Sequence, residues 1–248
     1  MKIGVFDSGV GGLSVLKSLI NSNFFKEIIY YGDTARVPYG MKDKDIIIKF
    51  SLEALDFFNN FNIDMLIVAC NTVSAYGLDS MQRQTSYPIV GVIESGVLSL
   101  HNKVQDRNKK ILILGTKATI QSNIYAKKLE SLGYKNIKSL QTGLFVPLVE
   151  EGIFSGDLLD STFRYYFSEI EIPNAIILGC THFPLIQNEI KKYFYNKPIL
   201  IHSGEAIVEY LTKNYKLKEM HSNEPKISFY ASNNPKAIES YAKIWLKS

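Results

Sequence analysis

The chain is 248 residues long, with 46% hydrophobic and 21% charged residues and a formal net charge of +4. This length allows one large or two modest domains with a sizeable core, and the composition is ordinary for a globular protein. The apolar runs are far shorter than a membrane span and no targeting segment is visible, so we expect a cytoplasmic protein that does not bind membranes. The lysines form no basic stripe with aromatic residues between them, which argues against a nucleic-acid partner.

Short apolar strands alternate with amphipathic helices along the chain. Strands are predicted at 2–6, 27–31, 65–69, 89–93, 137–141, 199–201 and 226–230, and at the apolar starts of 110–119 and 175–185. The helices between them show apolar residues at helical spacing, such as Tyr125, Leu129 and Leu132 on one face. This alternation is typical of βαβ units, so we predict an α/β fold with mostly parallel sheets.

The second half of the sequence repeats the pattern of the first. Lys2 corresponds to Lys110 at a shift of 108 residues, and Cys70 corresponds to Cys180 at a shift of 110. Any two α/β units look alike at this level, but the steady offset favours duplication. We predict two similar, pseudo-symmetric domains, each with a sheet flanked by helices, and an active site in the cleft between them. The first would comprise 1–96 plus 206–248, and the second 97–205.

Cys70 and Cys180 are the only cysteines in the chain, and each follows a predicted buried strand. Open α/β sheets bind ligands at this end of their strands, and in the cytoplasm the two residues should be free thiols. Both precede predicted helices, whose N-termini favour thiolates. One thiol on each face of a bound carbon acid could remove a proton from one side and return a proton to the other. Such a pair would invert a stereocentre without any cofactor.

Other interpretations of the cysteine loops are open. A single cysteine after a strand is usually just a core residue. The pair Cys180 and His182 could suggest a Cys–His hydrolase, but that leaves Cys70 unexplained. A zinc site needs three or four ligands, and no ligand-like spacing is seen among the other histidines, His101, His202 and His221. We therefore predict no metal.

The segment DSGVGG, Asp7 to Gly12, precedes a predicted helix. Glycines before a helix can bind phosphate, but the segment matches neither common phosphate-binding motif. We favour a role in binding a substrate carboxylate, with Asp7 bonded to a thiol or to the substrate amino group. Asp7 could also be a helix N-cap, a role that is compatible with the first.

Eight segments together resemble the glutamate racemases of the cofactor-independent aspartate/glutamate racemase family. They are FDSGVGGLSVL, YYGDTARVPYG, VACNTVSA, GVIESG, LGTKATI, FVPLVEEG, LGCTHFPL and HSGEAIVEYL, and the resemblance covers essentially the whole chain. It implies racemisation of L-glutamate to D-glutamate for peptidoglycan synthesis, with no cofactor and in a homodimer.

The resemblance also implies roles for individual residues. Cys70 and Cys180 would be the acid/base pair, and Asp7, His182 and Glu150 would be their polar partners. Glu150 is preferred to its neighbour Glu151, although both could be solvated at a helix end. The substrate site would be lined by Asp7, Ser8, Tyr39, Gly40, Asn71, Thr72, Thr116, Thr119 and Thr181.

Two alternatives remain for the function. One is a related racemase or isomerase of the same fold that acts on aspartate or another carbon acid. The other is a non-catalytic amino-acid-binding protein, for which a cleft between two α/β domains is also suitable.

Overall fold

The computed structural model of the protein describes residues 1–215, 217 and 225–246. The strands are β1 (Lys2–Asp7), β2 (Glu27–Gly32), β3 (Met65–Val68), β4 (Ile89–Gly91), β5 (Lys110–Gly115), β6 (Asn136–Gln141), β7 (Ala175–Gly179), β8 (Ile199–Ile201) and β9 (Lys226–Ala231). The helices are α1 (Leu13–Asn21), α2 (Lys44–Phe58), α3 (Asn71–Tyr76), α4 (Leu78–Gln82), α5 (Val92–Lys103), α6 (Lys117–Gln121), α7 (Ile124–Ser131), α8 (Phe145–Glu150), α9 (Asp157–Phe167), α10 (Gln187–Tyr193), α11 (Ser203–Tyr215) and α12 (Pro235–Trp245).

The described strands form two parallel sheets, which confirms the predicted α/β fold. The first sheet has the order β4-β3-β1-β2-β9, and the second has the order β6-β5-β7-β8. The strand predicted at 89–93 ends earlier, at Gly91, because Val92 already begins α5.

The two sheets share one topology. The order β4-β3-β1-β2 in the first matches β8-β7-β5-β6 in the second, and β9 adds one further strand beside β2. The shift of about 110 residues seen in the sequence therefore links strands at equivalent positions in the two sheets. The chain passes between the sheets twice, through α5 and α11, which pack against each other. The exact domain boundaries given above stay a prediction.

The central strands explain why the site lies where it does. Every residue of β3 and of β7 is buried, because helices cover both faces of each sheet. The apolar strands end at the same edge of their sheets, so the polar residues that follow are brought to one place. No helix among the described residues is long and apolar enough to cross a membrane.

Candidate active site

The cysteines lie just past the ends of two equivalent strands and line the same cleft. Cys70 follows β3 and occupies the N-cap position of α3. Cys180 follows β7 and precedes a 3₁₀ turn, Phe183–Ile186, so the α-helix predicted directly after it begins only at Gln187. Pro184 lies in the first positions of that turn. The two side chains are equally shielded, since Cys70 is 6% exposed and Cys180 is 7% exposed.

The cleft is narrow and is lined by segments from both halves of the chain. The space between its lining residues is about 400 Å³, part of which opens to solvent. The lining residues are Ser8, Val37, Pro38, Tyr39, Gly40, Cys70, Asn71, Thr72, Thr116, Val146, Glu150, Gly179, Cys180, Thr181 and His182.

Most of the residues predicted for the site lie on this cleft. Asp7 and Thr119 do not line it and are buried directly behind residues that do. Four lining residues were missed in the sequence, namely Val37, Pro38, Val146 and Gly179. Apolar residues and glycine carry no chemical signal of their own. Their only signal is that each lies within a motif that also supplies a polar site residue.

Cys180 is paired with an imidazole that is itself held by a carboxylate. Its Sγ atom lies 3.7 Å from Nδ1 of His182, and Nε2 of His182 lies 3.0 Å from Oε1 of Glu150. Burial alone would lower the pKa of His182, but hydrogen bonding and charge from Cys180 and Glu150 raise it to about 10. At neutral pH the imidazole is therefore a cation that can balance negative charge on Sγ of Cys180. Glu150 lines the cleft, whereas Glu151 is exposed.

Cys70 has different neighbours. Its Sγ atom lies 3.3 Å from Oγ of Ser8. Burial, together with the nearby carboxylate of Asp7, raises the pKa of Cys70 to about 12. The sequence pattern suggested that a helix N-terminus would favour a thiolate here, but burial of the thiol outweighs that effect. Cys70 is therefore a neutral thiol at neutral pH.

Asp7 connects the loop after β1 to the loop that carries Cys180. Its Oδ2 atom accepts a hydrogen bond of 2.9 Å from the backbone N–H of Gly9, and its Oδ1 atom accepts one of 3.4 Å from the hydroxyl of Thr181. Burial raises the pKa of Asp7, while the charge of His182 and the hydrogen bonds oppose the increase. Asp7 is the last residue of β1, and the N-cap of α1 is Gly12, so the helix N-cap role considered for Asp7 is wrong.

Three threonine hydroxyls join the two halves beside the cleft. Oγ1 of Thr72, in α3, lies 3.1 Å from Oγ1 of Thr116 and 3.1 Å from Oγ1 of Thr119. Thr116 and Thr119 are also 3.1 Å apart, and Thr116 is the N-cap of α6. Each hydroxyl can donate one hydrogen bond and accept others, so the cluster can turn a donor or an acceptor towards a ligand.

Tyr39 is fixed from behind by charged residues that the sequence pattern did not indicate. Its hydroxyl donates to Oδ2 of the fully buried Asp33. Nε of Arg36 lies 2.6 Å from the same oxygen, and the guanidinium also pairs with Glu53 in α2. The segment GDTARVPYG thus supplies the side chain of Tyr39 and much of its support.

No group of three or more histidine, cysteine, aspartate or glutamate residues within the described part of the chain could hold a metal ion. His221, one of the histidines considered above, lies outside the described residues. The arrangement is instead suited to proton transfer. It places two thiols with different polar partners at one narrow cleft lined with hydroxyl and amide groups.

Fold and cleft together define an α/β protein of the racemase class. The family model described as Asp/Glu/Hydantoin racemase matches residues 25–211, and the chain belongs to this family. Its similar relatives include the glutamate racemase of Campylobacter jejuni, 58% identical over 99% of this chain and 98% of that protein. The glutamate racemase of Helicobacter pylori strain 26695 is 56% identical over the full length of both chains.

Solved structures of similar proteins cover the whole fold. The crystal structure of the Campylobacter jejuni glutamate racemase has a TM-score of 0.98 and covers 100% of this chain and 98% of that chain, at 58% identity. The glutamate racemase of Francisella tularensis, solved in complex with D-glutamate, has a TM-score of 0.86 at 33% identity, with 100% of this chain and 94% of that chain covered. These similarities confirm the resemblance stated from the motifs.

Proposed function

We propose that the protein racemises glutamate, converting L-glutamate to D-glutamate for peptidoglycan synthesis, with Cys70 and Cys180 as the two acid/base groups. The similarity to glutamate racemases over the full chain supports the substrate and the reaction. The observation that supports the mechanism is the position of both thiols at one cleft, each with its own polar partner.

The proposed step moves two protons and leaves the bonds between heavy atoms intact. A thiolate takes the proton from the α-carbon of glutamate, and the electron pair of the broken C–H bond stays on that carbon. The opposite thiol then donates its proton to the other face, so the configuration is inverted and the thiol and thiolate exchange roles. At neutral pH Cys70 carries a proton, and Cys180 lies beside a protonated imidazole. The two cysteines thus differ in the charge of the group beside them.

The α-proton of glutamate is very weakly acidic, so the site has to stabilise negative charge as it develops. Groups that are already oriented in a shielded site do this most effectively. We assign this task to the cationic imidazole of His182, which is held by Glu150. Asp7 supports the site by accepting a hydrogen bond from Thr181, beside Cys180. The remaining hydrogen-bonding groups would hold the two carboxylates and the amino group of the substrate. They are Ser8, Tyr39, Gly40, Asn71, Thr72, Thr116, Thr119 and Thr181.

We also propose a cytoplasmic homodimer that binds no nucleic acid, with the domain boundaries 1–96 plus 206–248 and 97–205. The resemblance to the family supports the dimer, and the scattered lysines support the absence of a nucleic-acid partner. Sedimentation of the purified protein across a range of concentrations tests the dimer. A monomer at every concentration would contradict it.

The decisive experiment follows L-glutamate in heavy water. Loss of its circular dichroism signal, together with deuterium at the α-carbon of the product, is the expected result. Cys70→Ser and Cys180→Ser should each reduce turnover by several orders of magnitude, because each removes one acid/base group. Full racemisation by either variant would rule out the two-base step.

The same assay separates the alternatives. Racemisation of L-aspartate but not of L-glutamate would indicate a sister enzyme with another substrate. Tight binding of glutamate without exchange of its α-proton would indicate a binding protein.

A further inference from the structure

A chain of hydrogen bonds beside the cleft joins the two cysteine-bearing segments. The hydroxyl of Tyr125 donates to Oδ1 of Asn71 over 2.7 Å, and Nδ2 of Asn71 donates to Oγ of Ser203 over 3.5 Å. The hydroxyl of Ser203 in turn donates to the carbonyl oxygen of Leu178 over 3.5 Å. Asn71 directly follows one cysteine, and Leu178 lies two residues before the other.

Donors and acceptors in this chain fix the orientation of the Asn71 amide. Burial raises the pKa of Tyr125, so its hydroxyl keeps its proton and can donate. Ser203 uses its single proton for the carbonyl of Leu178, so it accepts from Asn71. The oxygen of the amide therefore faces Tyr125 and the nitrogen faces Ser203. Because the nitrogen carries two N–H groups and Ser203 accepts one, the other is available to the cleft that Asn71 lines.

Tyr125 contacts Asn71 from the side of the amide that faces away from the cleft. It is 3% exposed, belongs to α7 in the second half of the chain, and does not line the cleft. The ring of Tyr125 packs closely between Gly96 and Gly179. A Cβ atom added to Gly96 would lie 3.3 Å from the Tyr125 hydroxyl, and one added to Gly179 would lie 3.5 Å from the Tyr125 ring. The ring is therefore held in place, and its hydroxyl reaches across to α3 in the first half.

We propose that Tyr125 is a positioning residue, which orients the amide of Asn71 so that an N–H group, and not the carbonyl oxygen, faces a carboxylate of the substrate. This inference rests on the proposed function, since it concerns the binding of the same amino-acid substrate. Without the Tyr125 hydroxyl the amide can turn over and present its oxygen to the carboxylate. The contact is made before and during the reaction, so its loss weakens binding more than it slows the chemical step.

The test is Tyr125→Phe, which keeps the buried ring and removes only the hydroxyl. Loss of one hydrogen bond of this kind should raise KM for glutamate about tenfold, with kcat within about twofold of the original protein. A merely structural role would reduce the active fraction, and so kcat, without moving KM. An unchanged KM would overturn the proposal. Racemisation by the unaltered protein, measured first, tests the proposed function separately.

Two further variants make the test specific. In an Asn71→Ala background, Tyr125→Phe should have no further effect on KM, since the amide through which it acts is gone. An additional tenfold increase there would contradict the inference. The matched control is Tyr134→Phe, which removes the hydroxyl of another buried tyrosine that is bonded to the carbonyl of Val104, 2.6 Å away and off the cleft. It should leave KM unchanged.

Should Tyr125→Phe fail to fold, Asn71→Asp keeps the proposal testable. It keeps an oxygen that accepts from Tyr125 and replaces Nδ2, with its two N–H groups, by a second oxygen. KM for glutamate should rise at least about tenfold, because no N–H group then faces the substrate carboxylate. An unchanged KM in a folded Asn71→Asp protein would refute the proposal.

Discussion

Gly40 offers a direct test of how tightly the two halves meet at the cleft. A Cβ atom added there would lie 2.7 Å from Cγ2 and Oγ1 of Thr116 and closer still to its Cβ atom. Carbon atoms pack best at about 3.5–4.0 Å, so Gly40→Ala has to move the two segments apart by about 1 Å. The backbone of Gly40 itself has an ordinary φ, so the effect of the methyl group is steric.

We expect Gly40→Ala to reduce catalytic activity more than it reduces the stability of the fold. Overpacking at a well-packed position costs about 1–3 kcal/mol of stability. A displacement of about 1 Å in a catalytic site can cost on the order of 100-fold in rate. We therefore expect kcat/KM for glutamate to fall about 100-fold, while urea unfolding shows a loss of at most about 3 kcal/mol.

A matched control separates crowding from the general effect of an added methyl group. Gly143 has no atom within 4 Å of an added Cβ, so Gly143→Ala should retain full activity. Adding Thr116→Ala to Gly40→Ala should not restore activity, because the nearest atom is the Cβ of Thr116, which alanine keeps. Activity of Gly40→Ala equal to that of Gly143→Ala would refute the close packing described here.

Two further predictions concern the titrating groups of the site. The interactions of protonated His182 with Cys180 and Glu150 raise its pKa and thereby stabilise the fold. This contribution is fully present below about pH 6.5 and is lost as pH rises towards about 10. The free energy of unfolding should therefore decrease by on the order of a few kcal/mol across that pH range. His182→Asn should make this decrease smaller. If the original protein and His182→Asn lose stability equally with rising pH, the raised pKa of His182 is wrong. Without added glutamate, iodoacetamide should alkylate Cys180 faster than Cys70 at pH 7.5. The two are equally shielded, but a cationic imidazole lies beside Cys180, whereas Cys70 has a pKa of about 12. Mass spectrometry of tryptic peptides measures the order, and faster reaction at Cys70 would show that the assignment of the neutral thiol is wrong.

The sequence could predict the features of this fold that repeat or that depend on local pattern. Alternating apolar strands and amphipathic helices indicated parallel sheets, and the constant offset between Cys70 and Cys180 indicated duplication. The sheets and the duplication can both be read from the order of residues along the chain. A strand that is buried on both faces has to be apolar, and the polar residues of a site follow the ends of such strands. The shared strand order of the two sheets is the structural counterpart of that offset.

Features that depend on which elements meet in space could not be predicted in the same way. Tyr125 was identified only as part of an apolar helix face, yet its hydroxyl reaches Asn71, 54 residues earlier in the chain. Asp33 was passed over as a loop residue, although it is completely buried and holds the hydroxyl of Tyr39. Which of the two cysteines carries a proton was left open for a similar reason, since position at a helix N-terminus is visible in sequence and the extent of burial is not.

The difference between the two cysteines has a meaning within the proposed mechanism. Duplication of a strand and loop would by itself give two equivalent thiols, but the step needs one thiolate and one thiol at the same time. The neighbours of the two cysteines differ in charge. Ser8 can donate or accept a hydrogen bond without adding charge beside Cys70, whereas His182, held by Glu150, brings a positive charge beside Cys180. Within the proposed mechanism, the duplicated fold would place one thiol on each face of the substrate, and the unequal neighbours would supply a cation beside only one of them, Cys180.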